Sequence, residues 1–190
     1  MKNWIKFPFF FLILNILIAC SKVNQGTLYK MPLNEKIEKI AVLPFENFSG
    51  EATAGERMRR LTVQELVKRG YDVVEPGEIN KVLIDLKVEN LSLIGEREIK
   101  KFFEMTGIKY VIKGTVFTFE IQRFTEVSYP SVAVQINLVD AQQAKILRST
   151  FRTEGGPSFK VMYFGVEPEP LNEVAKRVIE SALIDILVNF

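Results

Sequence analysis

The sequence predicts a mixed α/β domain, and three patterns support that prediction. The short apolar run Ile40–Leu43 is typical of a strand that is buried on both faces. Later segments alternate apolar and polar residues, which indicates antiparallel strands, and the last helical segment carries one continuous apolar stripe. The predicted order is β-α-β-α-α-β-β-β-α. This order implies a mixed sheet with a βαβ start, antiparallel C-terminal strands and covering helices.

The first half of the predicted domain consists of two strands and three helices. Pro44 marks the end of the first strand, because proline cannot donate a ladder hydrogen bond. Gly70 closes the first helix, since glycine readily takes the left-handed conformation of a helix end. The elements in order are a strand over Ile37–Phe45, a helix over 54–69, a strand over Tyr71–Glu75, a helix from Pro76 and a helix that ends at Gly107.

The second half of the predicted domain holds three strands and the last helix. The strands are expected over Lys109–Phe124, Ser131–Asp140 and Lys145–Glu154. In the first of them, an alternating pattern places three apolar residues on one face. These residues are Phe117, Phe119 and Ile121. The stripe of the last helix comprises Leu171, Val174, Ala175, Val178, Ile179, Ala182, Leu183 and Ile186.

The N-terminus has the pattern of a signal peptide. Two lysines precede the mostly apolar run Phe7–Ala19, whose 13 residues are fewer than the roughly 17–25 that a membrane-spanning helix needs. The run ends in Leu17, Ile18, Ala19 and Cys20, which resembles the bacterial lipobox. In lipobox proteins the cysteine thiol receives diacylglycerol, the preceding peptide is cleaved and the new amino group is acylated. An ordinary secretory signal and an uncleaved anchor remain as alternatives.

This interpretation divides the chain into three parts. We expect a lipoprotein signal peptide at 1–19, a lipidated N-terminus with a flexible tether at 20–36 and a periplasmic domain at 37–190. Three acyl chains suffice for stable membrane attachment. The residue after the cysteine is Ser21 rather than aspartate, and by resemblance to lipoprotein sorting signals this predicts the periplasmic face of the outer membrane.

Composition excludes most catalytic chemistry. The chain has no histidine and one cysteine, which excludes His-based triads, zinc clusters and an intrachain disulfide framework. The 25 basic and 23 acidic residues give a net charge of +2, so nucleic acid is not an expected partner. We expect no catalytic residues, cofactor, metal or small-molecule substrate. One alternative is a metal or polar ligand at Glu46, Asn47, Ser49 and Glu51, although turn formation and solvent exposure explain these residues better.

A segment of 16 residues, Gly155–Pro170, joins the last strand to the last helix. Such long connections are often functional. It carries the candidate partner surface Phe159, Met162, Tyr163 and Phe164, because aromatic residues and methionine are enriched at interfaces. Three interpretations stay open: a cover over the sheet edge, a surface for a partner or for self-association, and a loop that dips into the membrane.

Four segments of the sequence together resemble those of a known family. They are Ile40–Asn47, Gly70–Glu75, Thr106–Val116 and Ile136–Asp140. The chain resembles the periplasmic domain of the curli-secretion lipoprotein family. It is also similar to lipoprotein activators of penicillin-binding proteins and to the N-terminal domain of the Tol-system propeller protein. One departure is Ala144, where the family often has glycine, and it favours a longer loop after the second antiparallel strand.

The resemblance implies a non-enzymatic, lipid-anchored envelope protein that acts as a periplasmic docking or assembly module. Its expected partners are the membrane, through the lipid, and either an envelope protein or further copies of itself. The alternative is a subunit of a curli-type outer-membrane secretion channel. That alternative needs membrane-spanning hairpins of at least about 20 residues, and the segments between the predicted strands are too short or lack the required alternation.

Overall fold

The computed structural model describes residues 27–30, 37–88, 94–124, 127–156 and 167–187, and of Thr27–Lys30 and Phe124 it describes the backbone alone. Several predicted features lie outside these residues. They are the signal peptide, the lipobox residues Leu17, Ile18 and Ala19, Cys20, and the aromatic residues Phe159, Met162, Tyr163 and Phe164. The predictions about them stay predictions.

The described residues form four helices and a seven-stranded mixed sheet. The strands are β1 (Thr27–Lys30), β2 (Lys39–Val42), β3 (Glu46–Asn47), β4 (Asp72–Val73), β5 (Tyr110–Phe124), β6 (Val127–Asp140) and β7 (Lys145–Gly155). The helices are α1 (Ala54–Lys68), α2 (Pro76–Asp85), α3 (Glu96–Thr106) and α4 (Leu171–Leu187). None of these helices combines the length and the apolar character that crossing a membrane requires.

The sheet has the order β1-β7-β6-β5-β2-β4, and β3 pairs with β5 beside this path. Strand β2 lies parallel to both β4 and β5, whereas β5, β6 and β7 form an antiparallel meander. The βαβ start, the antiparallel C-terminal strands and the mixed sheet are therefore confirmed.

Helices α1 and α4 cover one face of the sheet along most of its length. We call this the covered face. Val178, Leu183 and Ile186 of α4 are fully buried against strand residues such as Val134 and Ile136. The predicted apolar stripe of the last helix thus forms the main core, because one side of the helix is buried along its whole length.

Helices α2 and α3 cover only part of the opposite face. Leu83 and Phe102 pack there with Ala41 and Val111, near the beginning of β5 and the end of β6. Among the described residues, this second cluster does not extend along β5, β6 and β7 toward Gly155. We call this part of the sheet, which no helix of the described residues covers, the open face.

Local sequence signals place several element ends correctly. Gly70 and Gly107 follow α1 and α3 with φ angles of 83° and 67°, the left-handed conformation that glycine adopts without strain. Ala144 also has a positive φ of 54°. It closes a four-residue turn in which the Gln143 amide donates to Asp140 Oδ1 at 3.0 Å, so the longer loop predicted there is confirmed.

Three expectations differ from the structure. Part of the predicted tether is not free chain, since Thr27–Lys30 pairs with β7 and satisfies the backbone groups of that sheet edge. The predicted loop after the first buried strand contains the short strand β3, which pairs with Thr115 and Val116. Strand β6 begins at Val127 rather than Ser131, because its pairing with β5 continues almost to the turn.

Candidate interaction surface

Three phenylalanines lie in a row across the open face. We call Phe48, Phe117 and Phe151 the aromatic row. The ring centroids of Phe48 and Phe117 are 6.2 Å apart, and those of Phe117 and Phe151 are 5.8 Å apart. Phe48 is 69% exposed and Phe117 is 42% exposed, whereas Phe151 is half-buried. Adjacent exposed aromatic rings are typical of a surface that binds another molecule.

A β-bulge places Phe117 on this face. The β5–β6 register shifts between Val116 and Thr118, so that Phe117 is the extra residue of β5. A bulge reverses the alternation that follows it. The sequence prediction that Phe117, Phe119 and Ile121 share one face is therefore wrong for Phe117. Phe119 packs in the core of the covered face, and Phe117 lies on the opposite face.

The middle of the open face carries polar side chains that satisfy one another. Ser149 Oγ donates to Asn137 Oδ1 at 2.6 Å, and Gln135 Nε2 donates to both residues at 3.3 Å. These contacts join β6 to β7. Because the groups are paired with each other, they act as a hydrogen-bonded frame beside the aromatic row.

A second polar group lies at the border with α3. Lys113 Nζ lies 3.3 Å from Glu46 Oε1 and donates to the Ile94 carbonyl at 2.8 Å. Thr115 Oγ1 donates to Glu46 Oε2 at 3.1 Å. The carboxylate of Glu46 is thus held by two residues of β5, which fixes β3 and the loop carrying Phe48.

The loop over 46–53 was the sequence candidate for a polar ligand. Asn47 Oδ1 accepts hydrogen bonds from the Ser49 amide at 3.0 Å and from Ser49 Oγ at 2.7 Å, which is a local turn. Thr53 Oγ1 donates to the Glu51 carboxylate at 2.7 Å, and this hydrogen bond lowers the pKa of Glu51. Within the described residues, no group of three acidic, cysteine or histidine side chains is arranged to hold a metal ion.

Both flanks of the predicted aromatic segment meet at one end of the domain. Arg177 of α4 forms ion pairs with Glu154 of β7 and with Glu169, the latter with Nη1 2.6 Å from Oε1. The hydrogen bond from Arg177 lowers the pKa of Glu169. At Gly155 (φ 104°), a Cβ atom would lie 1.9 Å from the Pro130 carbonyl oxygen. The described residues on either side of segment 157–166 therefore lie beside the β5–β6 hairpin.

Two further features of the domain resemble binding or catalytic sites in their geometry. A cavity of about 730 Å³ lies between α2, α3 and the start of β5, which is within the size range of small-ligand sites. Its rim carries two acidic and two basic residues, so its charge favours no ligand class. These residues are Glu38, Lys39, Glu78 and Lys109.

The buried Arg59 is the second feature. Its Nε donates to the Val42 carbonyl at 3.0 Å and its Nη1 donates to Asn80 Oδ1 at 2.9 Å. Burial lowers the pKa of Arg59. The side chain joins the end of β2 to α2, which is a structural role.

Comparison with known proteins relates this fold to solved bacterial proteins. No protein-family model matches the chain, and no curated protein matches it. The PelC dodecamer from Paraburkholderia phytofirmans is similar in structure, with a TM-score of 0.56, 17% identity and coverage of 83% of this chain and 94% of that one. Lipoprotein GNA1162 from Neisseria meningitidis gives a TM-score of 0.58 at 20% identity, covering 76% and 96% of the two chains.

A third solved structure with this fold is hypothetical protein CT253 from Chlamydia trachomatis. Its TM-score is 0.51 at 8% identity, and the match covers 78% of this chain and 94% of that one. These matches span nearly the whole of each solved chain and establish a common fold. The four sequence segments indicate a resemblance to bacterial lipoproteins. This resemblance is confirmed at the level of the fold.

Proposed function

We propose that this protein is a non-enzymatic, lipid-anchored envelope protein that assembles with other copies of itself through the open face. The observation that carries the proposal is the aromatic row, in which Phe48 and Phe117 expose large apolar area beside a fixed polar frame. Clustered aromatic side chains typically supply most of the binding energy of an interface.

Two features support binding rather than catalysis. The polar side chains beside the aromatic row are engaged with one another, as the Asn137–Ser149 and Glu46–Thr115 hydrogen bonds illustrate. The chain also contains no histidine. A similar solved protein, PelC, is a dodecamer, and this supports self-association over capture of an unrelated partner.

The predicted aromatic segment extends this proposal. Phe159, Met162, Tyr163 and Phe164 belong to a segment whose two flanks lie at the hairpin end of the open face. We expect these four residues to contribute to the same interface. Replacing all four with serine should weaken self-association while the fold persists, and an unfolded variant would show instead that they cover the sheet.

The membrane attachment rests on Cys20. We expect lipidation there, cleavage before the cysteine, and residence at the periplasmic face of the outer membrane. The Cys20→Ala variant should lose incorporation of labelled fatty acid and should leave the membrane fraction. A variant that still sediments with membranes would contradict the lipid anchor.

The oligomeric mass of the detergent-extracted protein tests the assembly function. We compare the lipidated wild type with the double variant Phe48→Ser/Phe117→Ser and with Ile184→Ser as the control. Ile184 is 50% exposed on the helical side of the domain. The double variant should shift to the monomer, whereas the control should keep the wild-type mass. A monomeric wild type, or an oligomeric double variant, would contradict the proposal.

The secretion channel is less well supported. The β5–β6 hairpin projects past the sheet, yet β6 has only about four residues beyond its last pair with β7, against the 9–11 that a strand needs to cross an outer membrane.

A further inference from the structure

The β5–β6 hairpin projects from one end of the domain. Strand β3 pairs with β5 only as far as Val116, and β7 pairs with β6 only as far as Ser131. Beyond these points β5 and β6 continue to pair with each other until Phe124 faces Val127. At about 3.3 Å per residue, the part beyond Ser131 extends roughly 13 Å. We call the described residues 118–124 and 127–131 the projecting hairpin.

The pairing of β1 limits how far the domain can lie from its anchor. Thr27 lies seven residues after Cys20 in the sequence. It is paired with Thr150 of β7, which fixes its position. A chain of that length extends at most about 24 Å. Without β1, the tether would reach to Ile37 and would be more than twice as long.

The direction of β1 indicates which end of the domain lies near the membrane. Strand β1 is antiparallel to β7, so its amino end points toward Gly155 and the projecting hairpin. Gly155 lies about 17 Å from the level of Thr27 along the strand. Cys20 can therefore extend only about 7 Å past Gly155, which is less than the length of the projecting hairpin.

We propose that the domain stands on the bilayer with the projecting hairpin in the zwitterionic headgroup layer, and that β1 fixes this orientation. This inference rests on the proposed lipid anchor at Cys20. In this orientation the sheet is upright, and the open face points sideways toward neighbouring copies on the same membrane.

The side chains of the projecting hairpin suit a neutral lipid surface. Ile121 is 61% exposed, and one acidic and one basic side chain, Glu120 and Arg123, are exposed on either side of it. The hairpin sequence also contains Glu126, so it carries two acidic residues and one basic residue, a balance that does not favour an anionic surface. An exposed apolar side chain in this setting fits the headgroup region rather than the hydrocarbon core. The opposite end of the domain carries the charged cavity rim, with Glu38, Lys39 and Lys109.

Tryptophan fluorescence can test this orientation. The only tryptophan of the chain, Trp4, belongs to the predicted signal peptide, so a single introduced tryptophan reports alone in the processed protein. Ile121→Trp places the probe in the hairpin. Ile146→Trp is the matched control, since Ile146 is 44% exposed near the opposite end of β7. Both lipidated variants are incorporated into zwitterionic phosphatidylethanolamine/phosphatidylcholine vesicles, with and without brominated lipid.

Flotation of the vesicles first shows whether the protein is anchored. If it does not float, the lipid anchor and this inference both fail. If it floats, we expect brominated lipid to quench the tryptophan fluorescence of the Ile121→Trp variant strongly. The fluorescence of the Ile146→Trp variant should be the same in brominated and unbrominated vesicles. Equal quenching of the two probes, or none at position 121, would overturn the orientation while leaving the anchor intact.

A longer tether tests the role of β1 separately. A flexible Gly-Ser spacer inserted between Gln25 and Gly26 leaves the lipid and the strand in place but removes the limit on reach. Quenching at position 121 should then decrease. Unchanged quenching would contradict the proposal that the tether and β1 hold the hairpin at the lipid surface.

Discussion

The covered face and the open face are formed by the same strands, but they are completed in different ways. On the covered face, α1 and α4 bury Phe119 to 1% exposure. On the open face, Phe117 contacts the rings of Phe48 and Phe151 and remains 42% exposed. These two residues lie two positions apart on β5. The bulge at Phe117 assigns this phenylalanine to the surface and Phe119 to the core.

This difference separates stability from function within one sheet. A core side chain stabilises the fold in proportion to the apolar area that it buries. An exposed aromatic row contributes little to the fold, but it can bury the same kind of area when a second molecule binds. We therefore expect substitutions on the covered face to unfold the domain and substitutions on the open face to affect assembly.

The largest expected effect is a charge introduced on the covered side of α4. Leu183→Asp would bury an unpaired carboxylate in the core, which should cost several kcal/mol and abolish a fold that is stable by about 5–15 kcal/mol. Ile184→Asp is the control, because the adjacent Ile184 is exposed. Thermal melts of the detergent-solubilised proteins measure both. A Leu183→Asp melt near that of the wild type would show that α4 is peripheral.

Phe119 and Phe117 form a matched pair on β5, one on each face of the sheet. Phe119→Ala should lower the free energy of unfolding by about 3–5 kcal/mol, as is typical of a core phenylalanine. Phe117→Ala should lower it by only about 1 kcal/mol, since that ring already contacts solvent. Urea unfolding of the two variants gives both values. Equal losses would mean that the open face belongs to the core.

The smallest expected effect concerns the seam between α1 and α4. Burial raises the pKa of Glu65, but hydrogen bonds from Arg69 and Lys68 outweigh that effect and lower it overall. A lowered pKa in the folded state stabilises the fold above the ordinary glutamate range, and this contribution is lost as the pH falls through the lowered pKa.

Glu65→Gln should therefore reduce stability by about 1 kcal/mol at neutral pH and by less in acid. Urea unfolding at neutral and acidic pH measures the difference, and Glu104→Gln, at an exposed position of α3, is the control. A loss of stability that is the same at both pH values would contradict the role of the ionised carboxylate.

Periodicity predicted the covered face but not the open face. The stripe of α4, including Val174, Val178 and Leu183, was readable because its members share one side of a single helix, where all but the half-buried Leu171 are buried. Phe117 was not readable, because an alternating pattern does not reveal where a bulge reverses it. The pairing of Phe48 and Phe151 with Phe117 depends on the order of the strands, which sequence spacing does not contain.

Strand β1 was missed for a related reason. Thr27–Lys30 is too short to show a period, and its strand conformation comes from pairing with β7. Gly70 and Gly107 were predicted correctly because the end of a helix is a local event that one residue type can mark. Local sequence signals therefore predicted the helix ends correctly. The edge strand β1 and the aromatic row could not be predicted in this way, because they depend on contacts between segments that are distant in the sequence.

Photo-crosslinking in native membranes tests most directly whether the open face is the assembly surface. A benzophenone-bearing phenylalanine analogue replaces Phe117 in one variant and Ile184 in another, and both positions are exposed. We expect adducts between two copies of the chain from position 117 and none from position 184. Adducts from position 184 alone, or equal adducts from both positions, would contradict it.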